Sequence, residues 1–125
     1  MSYAILKLTN YNGYWLKSAN SAEAEILAIF LETDIGSNPF QLQEEIKKYH
    51  DWWYTYCDAS AITLYNGTIT LQDIWSEEED DAKFVTTKDK FIEIIDKWDE
   101  LYKQKPKEII ITIDGDTVTL TGKND

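Results

Sequence analysis

The chain has 125 residues, with 12 basic and 23 acidic side chains and a formal net charge of −11. That length suits one domain, residues 1–125, and a hydrophobic fraction of 43% supplies a core and argues against disorder. The charge disfavours nucleic acid and anionic membrane as partners, while one cysteine (Cys57) and the lack of a long apolar run exclude an internal disulfide and a membrane helix, so the expected compartment is the cytoplasm.

Residues 3–9 alternate and carry β-formers, which predicts a strand. A turn over 11–14 follows, and Trp15 and Leu16 begin a second short strand. Ser18, Ala19, Asn20 and Ser21 read as loop. Residues 23–34 contain Ile26, Leu27, Ala28, Ile29, Phe30 and Leu31, apolar on both parities. Such a block fits a short helix or a central strand covered on both faces, and the strand is the preferred reading. Asn38 as a cap and Pro39 at the first helical position start a helix. Leu42, Ile46, Tyr49, Trp53 and Tyr56 then form a helical stripe to about Tyr56, with Gln43, Glu44, Lys47, Lys48 and Asp51 on the wet face.

Residues 61–65 and 68–74 flank Asn66-Gly67, the favoured pair for a two-residue hairpin turn. Trp75 ends the second strand, an acidic loop follows, and residues 83–85 form a short strand. Thr87 caps a helix whose apolar face is Phe91, Ile94, Ile95, Trp98, Leu101 and Tyr102, and Pro106 stops it. The chain closes with a hairpin of residues 108–113 and 117–121 around Asp114-Gly115-Asp116. The expected class is α+β: a mainly antiparallel sheet with two amphipathic helices packed against it.

No catalytic arrangement emerges. His50 is the only histidine, and on a continuous helix it would sit two turns from Cys57, out of direct reach. One histidine and one cysteine do not make a zinc site. The glycines are isolated and explained by turns, so no phosphate loop is present. Calcium lacks the ligand spacing of a known loop in the acidic stretch. The expectation is a protein that is not an enzyme and has no cofactor or metal.

The aromatics, 14% of the chain with five Trp and eight Tyr, exceed what a small core needs, and Trp and Tyr are favoured at interfaces. Glu77, Glu78, Glu79, Asp80 and Asp81 form a run that is either a solvated segment or a docking surface. Trp75 beside it and Asp73 extending it suit an aromatic anchor rimmed by carboxylates that would cover a basic cleft. Asp73, Trp75, Glu77, Glu78, Glu79, Asp80 and Asp81 are therefore the candidate partner-binding residues. An uncovered sheet edge is a second way to take a partner, by strand addition.

The C-terminal third, with Phe91-Ile92-Glu93-Ile94-Ile95-Asp96-Lys97-Trp98, a Lys-Pro break and a closing hairpin with an Asp-Gly turn, resembles the immunity proteins of bacterial polymorphic toxin systems, including contact-dependent inhibition. The resemblance implies an inhibitor that binds a cognate toxin domain, often a nuclease, and blocks its active site. It carries no residue-level motif. Two other readings remain open. One is a nucleic-acid mimic that inhibits a DNA-binding enzyme, against which Lys47, Lys48, Lys97 and Lys103 interrupt any acidic stripe. The other is a generic protein-interaction module.

Overall fold

Two four-stranded antiparallel sheets hold the helices between them in a computed structural model that describes residues 1–35, 40–57, 60–73 and 83–124. The first sheet has the order β2-β1-β7-β8, from β1 (Ser2–Leu8), β2 (Tyr14–Ala19), β7 (Glu108–Asp114) and β8 (Thr117–Lys123). The second has the order β3-β4-β5-β6, from β3 (Trp52–Tyr56), β4 (Ser60–Tyr65), β5 (Thr68–Asp73) and β6 (Lys83–Thr87). The α+β class and the antiparallel pairing are those expected; the strands are divided between two sheets.

Helix α1 (Ala22–Ile29) starts at Ser21, whose hydroxyl accepts the Ala24 N–H at 3.1 Å, with Glu23 and Glu25 in the first turn facing the helix dipole. It runs on into a π-helical turn, Phe30–Ile35. The segment 23–34 is thus helical, which corrects the preferred strand. Its position explains the ambiguity: α1 touches β1, β2 and β7 on one side and β5 and β6 on the other. A helix enclosed on both sides is apolar all round, so its pattern imitates a strand covered on both faces. Ala24, Leu27, Ala28, Phe30 and Leu31 are fully buried there.

Helix α2 (Phe40–Lys47) ends at Lys47, which corrects the helix expected to reach Tyr56. The Lys88 ammonium binds the backbone carbonyls of Lys47 (3.4 Å) and Tyr49, capping this end with a cation. Five strong β-formers in a row, Trp52 to Tyr56, then pair with β4. The pairing reaches back past the strand, with Asn66 N–H donating to Asp51 O and Gly67 N–H to His50 O, both at 3.0 Å. Gln43, expected on the wet face, is only 4% exposed. Its amide donates to Asp96 Oδ1 at 2.7 Å and to the Ile92 carbonyl at 3.3 Å, fastening α2 to the long helix.

That helix, α3 (Lys88–Gln104), is capped by the Thr87 hydroxyl, which accepts the Lys90 N–H at 3.2 Å. Phe91, Ile94, Ile95, Trp98 and Leu101 are its buried face, as expected. Lys105 ends it in the left-handed region at φ 53°. The Asn66-Gly67 turn joins β4 to β5 with φ of 48° and 79°, the positive pair that a two-residue hairpin requires. The Asn38-Pro39 helix start lies outside the described residues.

At the far end of the first sheet, Tyr14 packs edge-on against Trp98 with ring centroids 5.7 Å apart, and its hydroxyl donates to the Pro106 carbonyl at 2.6 Å. The Lys105 ammonium sits 3.1 Å from the Tyr102 ring centroid and donates to Asn12 O at 2.6 Å. These contacts tie the start of β2 to the α3–β7 junction.

Candidate functional site

Each sheet turns one face to the core and leaves the other to solvent. The outward face of the first sheet carries Lys7, Lys17, Glu108, Asp114 and Lys123, with a Lys17–Glu108 ion pair at 3.0 Å. That pair holds the Glu108 carboxyl below its usual range, chiefly through the hydrogen bond from Lys17. The exposed Tyr3 and Trp15 share this face, with charged side chains among them and Lys7 directly opposite Trp15.

The outward face of the second sheet differs. Alternation along β3 sends Trp52, Tyr54 and Tyr56 outward, while Trp53 turns in against the core. The register sets Tyr65 opposite Trp52, Thr63 opposite Tyr54 and Ala61 opposite Tyr56. Thr68, Thr70 and Gln72 of β5 continue those rows, followed by Thr87, Val85 and Lys83 of β6. Lys83 is the one charged side chain among these positions, in a chain of net charge −11. Trp52, Tyr56 and Tyr65 are 64%, 67% and 63% exposed, and Val85 is also exposed. Side chains of this size have about 150–250 Å² each to bury, and with the four rings only partly exposed they still leave a patch of several hundred Å². Patches of that extent on a soluble chain mark binding surfaces more often than chance.

The rings are also ordered. Tyr54 and Tyr56 meet edge-to-face with centroids 5.0 Å apart and planes at 83°. A hydrogen bond with the Tyr56 side chain, more than partial desolvation, raises the Tyr54 hydroxyl above its ordinary value. Tyr49 stacks on Trp53 at 6.3 Å where β3 begins. Preformed rings lose little rotamer freedom when a partner covers them.

Of the residues expected at the site from sequence, Asp73 is described. It pairs with the buried Ser60 and lies beside Ile26 and Ile29, on the core side of the second sheet and away from the exposed rings. Trp75, Glu77, Glu78, Glu79, Asp80 and Asp81 lie outside the described residues. In the chain they follow β5, which ends at Asp73, and precede β6, which begins at Lys83. Lys83 shares a row with Gln72, Ala61 and Tyr56, so the described part of β6 begins at the Tyr56 end of the aromatic face.

The histidine and cysteine do not share a helix, which corrects that expectation. His50 lies in the bend after α2, against the hairpin turn, where a Cβ added to Gly67 would come within 3.2 Å of its Cε1. Cys57 follows β3, its N–H donating to Ser60 O at 2.7 Å. A groove of about 390 Å³ runs between α3 and β8, walled by Ile94, Val118 and Leu120 and flanked by Lys90 and Lys97. Lys90 is turned to the Asp116 carbonyl at 3.1 Å and Lys97 to Glu100 at 3.6 Å. Among the described residues no three His, Cys, Asp or Glu side chains group to hold a metal ion, and no helix is long and apolar enough to cross a membrane.

Sequence reasoning missed Trp52, Tyr54 and Tyr65 as surface residues and placed Tyr56 on a helical stripe. The usable signal was the unbroken run of β-formers from 52 to 56, which outweighs a stripe of five positions. No protein-family model matches this chain, and no curated protein or solved structure matches it either.

Proposed function

We propose that this is a binding protein, not an enzyme, which acts in the cytoplasm by docking on a basic protein and blocking it, as an immunity protein covers its cognate toxin domain. The observation that carries the reading is the outward face of β3 to β6, with four exposed aromatic rings and, among the described residues, no carboxylate, on a chain of net charge −11. Aromatic anchors supply contact area at small entropic cost, and the surrounding negative field speeds encounter with a cationic surface. The acidic tract Glu77, Glu78, Glu79, Asp80 and Asp81, with Trp75 shortly before it in sequence, would add five negative charges to the field that guides the approach.

A nucleic-acid mimic fits less well. The helical acids are interleaved with lysines and in part neutralised by them, as in Glu44–Lys47, Glu45–Lys48, Lys97–Glu100 and Asp99–Lys103. Such pairs break up the continuous negative stripe that would imitate phosphates.

The test is co-purification with the product of the adjacent upstream gene, and in particular its C-terminal domain. A salt-sensitive complex that abolishes that product's toxicity, and that Trp52→Ala with Tyr65→Ala disrupts, supports the reading. A toxic neighbour that binds unaffected by these changes moves the interface elsewhere. Failure to bind any toxic neighbour overturns the immunity role.

A further inference from the structure

We propose that β3 is a strand acceptor: the partner adds an extended, basic strand to its open edge, so that alternate Arg or Lys side chains lie over Trp52, Tyr54 and Tyr56. This rests on the docking reading above and specifies its mode.

The edge geometry follows from the ladder. Residue pairs across β3 and β4 sum to a constant, as in Trp52↔Tyr65 and Tyr56↔Ala61. The Cys57 N–H bonds to Ser60 O and the Asn66 N–H to Asp51 O, which makes 57↔60 and 51↔66 hydrogen-bonded pairs. In an antiparallel ladder such pairs alternate with pairs whose backbone groups point the other way. Trp52, Tyr54 and Tyr56 are those alternate positions, so their N–H and C=O groups face the open edge. The residues offering backbone bonds are thus the residues offering rings. β4 is the described element that packs along β3, and β3 is terminal in its sheet.

Edge strands are ordinarily blunted by lysine, proline or a bulge. The other three edges follow that rule in part. β2 carries Lys17 and a bulge opposite Ile5 and Leu6, β6 carries Lys83, and β8 carries Gly122 and Lys123. β3 has none of these; it reads Trp-Trp-Tyr-Thr-Tyr. An edge left open and aromatic at four of its five positions is suited to pairing.

Charge selects the occupant. A strand residue opposite Trp52, Tyr54 or Tyr56 points its side chain to the same face, directly over a ring. With no carboxylate among the facing positions and a net charge of −11 around them, a cation gains both from the ring face and from the wider field. A second copy of this chain would bring the same charge and the same rings, with no cation for them.

The experiment uses the whole protein and a synthetic nonapeptide alternating Arg and Val, read by amide hydrogen exchange and light scattering. Two derivatives carry N-methyl groups, one on the Arg amides and one on the Val amides. The expected result is that the parent and Val-methylated peptides slow exchange at Trp52, Tyr54 and Tyr56 about tenfold or more, while the Arg-methylated peptide does not. Equal binding of both methylated peptides, lost in Trp52→Ala with Tyr65→Ala, overturns strand addition and leaves the aromatic docking face standing. Equal binding that survives those changes overturns both. Slow exchange at these amides in the free protein, with a mass that doubles at high concentration, assigns the edge to a second copy and overturns the proposal.

Discussion

Replacing Tyr14 with Phe removes one oxygen and keeps the ring. Tyr14 is 7% exposed, and its hydroxyl donates to the buried Pro106 carbonyl at 2.6 Å across 92 residues of sequence. The Phe ring retains the contacts with Trp98 and Tyr102, so the loss is that of the donor. A buried carbonyl left without its partner costs about 1–3 kcal/mol. For a domain of this size that is a fall in Tm of about 4–12 °C at neutral pH, read by thermal melting. Alkali separates this account from a packing defect. Burial, and after it the Tyr102 charge, pushes Tyr14 up to about 12 from the ordinary 10.0 of a tyrosine. The folded state thus favours the neutral phenol. That contribution is complete below pH 10 and is lost as pH rises from 10 towards 12. The gap in Tm between wild type and Tyr14→Phe should therefore narrow over this interval. Equal melting at neutral pH, or a gap that stays constant to pH 12, would refute the argument.

Gly122 of β8 lies against the α3–β7 junction, where an added Cβ would stand 3.0 Å from Pro106 Cγ and 3.2 Å from Leu101 Cδ2. Gly122→Val is expected to destabilise by about 1–3 kcal/mol in urea titrations, with the midpoint rather than the slope moving. Thr87→Ala removes the cap of α3 and should cost about 1 kcal/mol by the same assay, while Thr87→Ser should restore most of it. Lys17→Met should return the Glu108 carboxyl towards its ordinary value, an upward shift visible in an NMR titration of its side-chain carbonyl carbon. Trp52→Ala should leave Tm nearly unchanged, because the ring is 64% exposed; a large fall would mean that the ring supports the fold.

The sequence made some elements legible because local chemistry and tertiary position agree there. Asn66-Gly67 fixes its hairpin through backbone conformation alone, and Thr87 with the Phe91, Ile94, Ile95, Trp98 and Leu101 stripe defines α3 through cap and period. Residues 23–34 were misread because enclosure by two sheets erases the amphipathic period that would mark a helix. The stripe ending in Trp53 and Tyr56 failed for a different reason. Lys88, forty residues away in α3, captures the carbonyls at the end of α2, and nothing near Lys47 in sequence announces that stop. The exposed aromatic face depended on this second error. Which rings face water is a matter of strand parity and register, and neither is defined until β3 is known to be a strand.

The first sheet joins β1 to β7, the first strand of the chain to one that begins at Glu108. In synthesis, therefore, α1 can meet β1 and β2 at once, but the first sheet is completed only when the β7–β8 hairpin has been made. Until then the first sheet is the β1–β2 hairpin alone, and the apolar face of α3, which packs on β8, is only partly covered. Closing β1 on β7 spans almost the whole chain, so the step is slow by topology. Shortened chains that stop before residue 108 are expected to be held by chaperones or degraded, since they lack the two strands that complete the enclosure.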